Sequence, residues 1–265
     1  MNIDEIKKRF RRIDVSRYPL LQGLTSTDIY KGEMGPGGLI LASEMSSRIP
    51  LAKGMCVMDL GCGKGTTSVF LARQFGVTVS AVDLWIPVDE LAGYIREAQC
   101  EESVFPFNAD VTKGLPFNDG SFDLIFCMDA WHYFGAEPGL IQRLSSFLKP
   151  GGYIVVGNPC FDREFEQSPP PVYQAFWPNE FSKYHSPKWW QNLFEQSAEF
   201  TDVRADEVAD GVILWEDALL HALETGNTKG GRLEADADEI VFGHEHPQYP
   251  YLTHYILIAR KVLKP

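Results

Sequence analysis

The 265-residue sequence predicts an α/β fold: a doubly wound, mostly parallel seven-stranded sheet with helical and aromatic cap insertions. Three observations lead there. From Met55 onward, short β-rich runs alternate with segments whose apolar residues recur at helical spacing, the pattern of a parallel sheet covered on both faces. Glycines gather directly after the first of those runs and again before the fifth, where strand and helix must turn into one another. With 45% apolar composition the chain can bury one substantial core, so one elaborated domain is expected rather than two.

Taken in order, residues 1–50 hold a helix and the sequence YKGEMGPGGL and are expected to form an N-terminal cap or lid. The core is expected over residues 51–265, with strands at 55–60, 77–82, 104–108, 122–128, 153–157, 201–208 and 254–261. Between the strands, TTSVFLARQF, VDELAGYIREAQ and EPGLIQRLSSFL read as helices. KPGG, Lys149 to Gly152, is expected to stop a helix with glycines that tolerate positive φ. In HSPKWWQNLFEQ, Ser186 is a helix N-cap with Pro187 at the first helical position and an apolar face through Trp190, Leu193 and Phe194. Two insertions, at about 158–186 and 209–252, interrupt the pattern. The second carries VILWEDALLHALE, whose helical spacing makes it an ordered cap element. No internal repeat is visible.

Composition narrows the function classes. A formal charge of −12 opposes polyanionic ligands, so nucleic acid is not an expected partner. The one dense basic run, KKRFRR at Lys7 to Arg12, reads as a solvated helix face. Cys56, Cys62, Cys100, Cys127 and Cys160 include no CxxC pair, which fits reduced structural thiols in the cytoplasm. No apolar stretch resembles an export signal, and none reaches the roughly 18 residues of a membrane span, so a soluble cytoplasmic protein with no membrane partner is expected.

MDLGCGKGTT, Met58 to Thr67, is the chemically most informative stretch. Gly61, Gly63 and Gly65 form G-x-G-x-G between a strand and a helix, while a nicotinamide-binding turn would be G-x-G-x-x-G and here has Thr66 in its last place. Three carboxylates lie at the carboxyl ends of successive strands, the edge where open α/β sheets bind ligands. Asp59 could hold a positively charged amino acid moiety, Asp83 both hydroxyls of a ribose, and Asp110 an exocyclic amine of adenine. Asp59 or Asp83, taken alone, could be a helix-capping or turn residue, and Asp110 is the weakest of the three.

VMDLGCGKG, AVDLW, NADVTKGLPFNDGSFDLIFCMDAWHYF and FLKPGGYIVV, spread over about residues 55–157, together resemble the class I S-adenosylmethionine-dependent methyltransferases of small-molecule type. The resemblance implies a Rossmann-like sheet whose seventh strand is antiparallel and inserted beside the fifth. It also implies S-adenosyl-L-methionine as cofactor, bound by Asp59, Gly61, Gly63, Gly65, Asp83, Leu84, Asp110, Val111 and Met128.

For the acceptor, family members that act on nucleobase amines or glutamine usually show Asn/Asp-Pro-Pro-aromatic after the fourth strand. This chain has Cys127-Met128-Asp129-Ala130 there, which argues against those substrates. Asp129 itself reads as a strand-end residue near the cofactor. His132 follows and is the candidate proton acceptor, with packing at a helix start as its other reading. Tyr30, beside GEMGPGGL, is its expected partner, because that segment is similar to the stretch preceding the core in phosphoethanolamine and sarcosine-type N-methyltransferases. Tyr173, Phe176, Trp177, Phe181, Tyr184, Trp189 and Trp190 either roof the site or form the core of a cap, and His185 among them suits a structural place beside a helix cap. GHEHP, Gly243 to Pro247, reads as a polar loop, and no metal is expected. The reading is a methyltransferase acting on a small-molecule substrate, an amine among the fitting acceptors. Its rivals are a nicotinamide-dependent oxidoreductase and a non-catalytic S-adenosylmethionine-binding protein. The insertions could serve a homodimer interface as well as a lid.

Overall fold

The computed structural model describes residues 2–32, 34–137, 139–174, 179, 181–226 and 233–263. Seven strands, β1 (Cys56–Leu60), β2 (Thr78–Asp83), β3 (Val104–Asn108), β4 (Phe122–Met128), β5 (Leu148–Phe161), β6 (Phe200–Glu207) and β7 (Leu252–Lys261), form one sheet in the order 3-2-1-4-5-7-6. β1 to β5 run parallel, and β7 pairs antiparallel with both β5 and β6. The antiparallel seventh strand beside the fifth is thus as expected. The strand order reverses at β1 and β4, so the loops leaving those two strands diverge and open a crevice at their carboxyl ends.

Period-2 alternation assigns the helices to faces. Val57, Leu124, Phe126, Val155, Ile256 and Ile258 point to one side, where α3 (Gly38–Ser47), α4 (Thr66–Phe75) and α5 (Val88–Glu97) cover them. Met58, Leu60, Ile125, Cys127, Ile154, Val156 and Leu257 point to the other, under α6 (Leu140–Phe147) and α8 (Pro187–Glu195). α8 starts as the sequence suggests, with the Ser186 side chain accepting from Trp189 N–H and Pro187 inside the first turn.

The remaining short helices are α1 (Ile3–Arg9), α2 (Ser26–Ile29) and α7 (Pro171–Gln174), and the second insertion folds into α9 (Gly211–Thr225) and α10 (Leu233–Glu245). Ile6 and Phe10 pack with Leu219, Leu220, Ile240 and Val241, so the chain start and the second insertion share one satellite core. Ion pairs tie them further. Arg11 grips the buried Glu216 through Nε (2.8 Å) and Nη2 (3.0 Å), Arg12 meets Asp217 at 2.7 Å, and Arg17 meets Asp210 at 2.7 Å. KKRFRR is therefore a docking strip from Arg9 onward, where the sequence suggested a solvated face.

Other expectations need correction. The expected cap of residues 1–50 includes α3, which lies on the sheet itself. KPGG falls inside β5, not ahead of it: Leu148 already pairs with Phe122, and the register shifts between Phe122 and Leu124. Gly151 sits at φ +77° there, a conformation costly for other residues, so the glycines build an irregular strand start. GHEHP is no loop at its beginning, because His244 and Glu245 end α10 and face Glu216 and Arg9. Tyr173, Phe181 and Tyr184 form an aromatic core with Phe161 and Leu252, while Phe176 and Trp177 lie outside the described residues.

α3 sits flush on β5 because Gly157 has no side chain: a Cβ there would stand 2.3 Å from Met45 Sδ and 3.2 Å from Leu41 Cγ. Gly157→Val should destabilise the fold by roughly 1–3 kcal/mol through overpacking, read as a lowered urea midpoint with unchanged slope.

Candidate active site

Strand β1 ends in a turn built from left-handed glycines, with Gly61 at φ +73°, Gly63 at +53° and Gly65 at +87°. Gly61 N–H and Cys62 N–H both donate to Val82 O, at 2.8 and 3.1 Å, which folds the turn back over β2. A Cβ at Gly61 would come within 2.3 Å of Ala130 Cβ, so the turn after β1 and the turn after β4 touch only because that position is glycine.

Asp83, at the end of β2, accepts Gly63 N–H through Oδ2 (2.8 Å) and Trp85 and Ile86 N–H through Oδ1 (2.7 and 2.9 Å). Its carboxylate fixes two turns relative to one another while Asp83 still lines the cavity between them. Asn108 completes the arrangement, donating to the carbonyls of Asp83, Leu84 and Ile86 at 3.0–3.2 Å. The sequence reading missed Asn108; its signal is an amide side chain at the last residue of β3, in line with Asp83 on its neighbour.

The cavity measures about 430 Å³ and is lined by Gly61, Gly63, Asp83, Leu84, Asp110, Val111, Met128 and Asp129, among others. Seven of the nine expected cofactor residues therefore meet around one space. Gly65 lies behind it, against Leu91. Asp59 lies beneath the turn, 1% exposed, with Ser68 Oγ donating to Oδ2 at 2.6 Å. Burial pushes the Asp59 carboxyl up to about 7. Asp110 is held at about 2 by Thr112 and Lys113, and Thr112 N–H and Oγ donate to its Oδ1 at 2.9 and 2.6 Å.

Asp129 is the group the sequence reading undervalued. It stands just past β4 at φ +53°, a conformation uncommon outside glycine. Gly37 N–H donates to its Oδ2 at 2.9 Å, and a Cβ at Gly35 would lie 2.6 Å from the same side chain. Gly35 and Gly37 leave room for Asp129 where their Cβ atoms would be, Gly37 also clearing Leu41, while Gly38 sits at φ +56°. Its Oδ1 is buried without a hydrogen-bond partner, and His254 Nε2 faces it at 4.0 Å. His254 donates from Nδ1 to Gly211 O at 2.8 Å, and burial lowers it to about 4, so Nε2 presents a lone pair to Asp129. Burial also raises the Asp129 carboxyl to about 7.

His132 and Tyr30 do not meet. Tyr30 donates to Asp217 at 2.7 Å and stacks on His221. His132 is 5% exposed, pairs through Nδ1 with the Asn158 amide, and is lowered to about 4 by burial. It lines a smaller neighbouring cavity of about 170 Å³ with Lys183 and His185, and neither it nor Tyr30 lines the larger one. His185 pairs with Glu164 and stacks on Trp189.

Because the fold lifts Asp129 from its ordinary 3.8 to about 7, its protonated form is favoured in the folded state. The stability it contributes is complete below the ordinary value and is lost as pH rises through 7. Asp129→Asn should therefore gain on the wild type between pH 5 and pH 8, by on the order of 2–4 kcal/mol, in urea denaturation at the two pH values. An equal difference at both would contradict the assignment.

Comparison with known proteins agrees with this geometry. Residues 58–156 match the family described as methyltransferase domain. Phosphoethanolamine N-methyltransferase 1 of Arabidopsis thaliana is 28% identical over 181 residues, covering 68% of this chain and 35% of that protein. The chain spans about a third or less of the first curated relatives it matches. Among solved structures, a Haemonchus contortus phosphoethanolamine N-methyltransferase 2 superposes with a TM-score of 0.69 at 16% identity, over 92% of this chain and 60% of that one. The [4+2]-cyclase SpnF superposes at 0.65 and 18% identity over 94% and 95%, so likeness of fold alone does not fix the reaction. Motif order, sheet topology and the domain match converge: residues 58–156 carry a methyltransferase domain, and the chain is similar to S-adenosylmethionine-dependent methyltransferases of small molecules.

Proposed function

We propose that the protein transfers a methyl group from S-adenosylmethionine to the nitrogen of a small-molecule amine. The observation that carries this reading is the 430 Å³ cavity in which the glycine turn, the Asp83 carboxylate and the buried Asp129 carboxyl face a common space. When bound, S-adenosylmethionine supplies a methyl group on a positively charged sulfur. The residues present fit such a group. Gly61 and Gly63 offer backbone that a ligand can approach closely. Asp83 keeps free lone pairs for ribose hydroxyls beyond the three N–H groups it accepts. Leu84, Val111 and Met128 give apolar walls, and Asp110 an acceptor beside them. Asp59 acts from below by tying the end of β1 to α4 through Ser68.

For an amine acceptor, the nitrogen must present a lone pair in line with the transferred methyl, so the protein aligns, excludes water and removes a proton. Asp129 suits that last task. Raised to about 7, its carboxyl takes a proton near neutral pH, which an ordinary aspartate does poorly. We assign His132 a structural part, since burial lowers it to about 4, too weak a base near neutral pH, and the Asn158 amide pairs with its Nδ1. All five cysteines are free, and among the described residues no helix is long and apolar enough to cross a membrane. These features support a cytoplasmic location, and the net charge of −12 supports a metabolite over nucleic acid as substrate.

Calorimetric titration tests the cofactor. S-adenosylmethionine and S-adenosylhomocysteine should bind with micromolar dissociation constants, about −8 kcal/mol, and Asp83→Ala should weaken both at least tenfold. Binding of NADH with no response to either sulfur ligand would overturn the proposal.

A further inference from the structure

The walls of the cavity differ in character. Asp83, Asp110 and Lys64 stand on the polar turns assigned above to the cofactor, with Met34 over the same glycine turn, its Sδ 3.2 Å from where a Gly63 Cβ would lie. The lining holds one further carboxyl, Asp129, together with Ile29, Leu39, Tyr133 and Phe134. The mouth is apolar as well: Met34, Trp85 and Tyr133 line it while 57%, 59% and 41% exposed. Trp85 and Tyr133 meet edge to face at 4.9 Å across the opening between the β2 and β4 turns. Exposed aromatic and thioether groups gathered at the mouth of a cavity are unusual for plain surface and suit an apolar ligand body.

Charge points the same way. A phosphomonoester carries close to two negative charges and is normally gripped by arginine forks or several cationic donors. Among the described residues lining this cavity, Lys64 is the single lysine or arginine, and it belongs to the glycine turn. An anion seated near Asp129 would face a buried carboxyl of the same sign. An amine there instead offers an N–H to the Asp129 carboxyl, and its charge, when present, is welcome to both Asp129 and the faces of Trp85 and Tyr133.

We propose that the acceptor is an amine on an apolar, uncharged body, seated with its nitrogen at Asp129 and its body against Leu39, Tyr133 and Phe134, and that phosphorylated amines are excluded. This rests on the methyl-transfer reading and separates the chain from relatives whose names specify phosphoethanolamine.

The test uses the full chain saturated with S-adenosylhomocysteine, titrated with tryptamine, phenethylamine, 1,2,3,4-tetrahydroisoquinoline, ethanolamine and phosphoethanolamine. At least one of the three apolar amines should bind tenfold or more tightly than both ethanolamine and phosphoethanolamine. Asp129→Asn, resaturated with S-adenosylhomocysteine, should lose tenfold or more of that affinity, and Tyr133→Ala severalfold. Phosphoethanolamine binding as tightly as the best apolar amine, no apolar amine exceeding ethanolamine, or an Asp129→Asn variant with unchanged affinity would each overturn the inference while leaving the cofactor assignment standing. Failure of S-adenosylhomocysteine itself to bind would overturn the methyl-transfer reading and this inference with it.

Discussion

The Asp129 carboxyl is buried at the carboxyl end of β4, accepting one hydrogen bond among the described residues, from Gly37 N–H, and much of the local architecture is arranged around that side chain. Two glycines of the N-terminal segment give up their Cβ atoms to make room for it. The backbone bends into a left-handed conformation to aim it, and a neutral imidazole on β7 stands behind it. A carboxyl so desolvated costs stability whenever it is ionised. Strain and desolvation persist where the surroundings over-determine them, and such places are commonly functional. The β1 and β2 turns are tied together by three backbone donors to Asp83, above Asp59, which is likewise buried with an unpartnered Oδ1.

The N-terminal segment reaches the cavity through Ile29, Gly32, Met34 and Gly35 and is anchored elsewhere, on α9. Glu216 and Asp217 are buried carboxylates of that helix, satisfied by Arg11, Arg12 and Tyr30. The arginines are themselves half-exposed but their carboxylate partners are buried, so each pair does more than one exposed on both sides would. Thr66 Oγ donating to Lys31 O at 2.6 Å joins the same segment to the start of α4. The second insertion thereby acts on the cavity at one remove, by holding the segment that closes one wall.

The sheet was legible in the sequence because its strands alternate with helices at clean periods and end in glycine turns with few conformational options. The glycine turn and the carboxylates that line the cavity were legible for the same reason: Gly61, Gly63, Asp83, Asp110 and their neighbours are local in sequence, each within a few residues of a strand end. The surroundings of Asp129 were not. Asp129 gains its properties from Gly35, Gly37 and His254, which lie some 90 residues before it and 125 after it, and no local pattern announces such a meeting. His132 attracted notice as a histidine beside a strand end, yet Asn158, opposite on β5, decides its environment. Tyr30 similarly answers to Asp217 on α9. KKRFRR looked solvated because its partners are carboxylates 200 residues further on.

A crystal structure of the chain with S-adenosylhomocysteine bound would test the central claim most directly. The account predicts the ribose hydroxyls within hydrogen-bond distance of the Asp83 carboxylate, the base beside Asp110 and Val111, and the thioether sulfur turned toward Asp129. A nucleoside seated outside this cavity, or one within it that leaves Asp83 without a ligand contact, would contradict it.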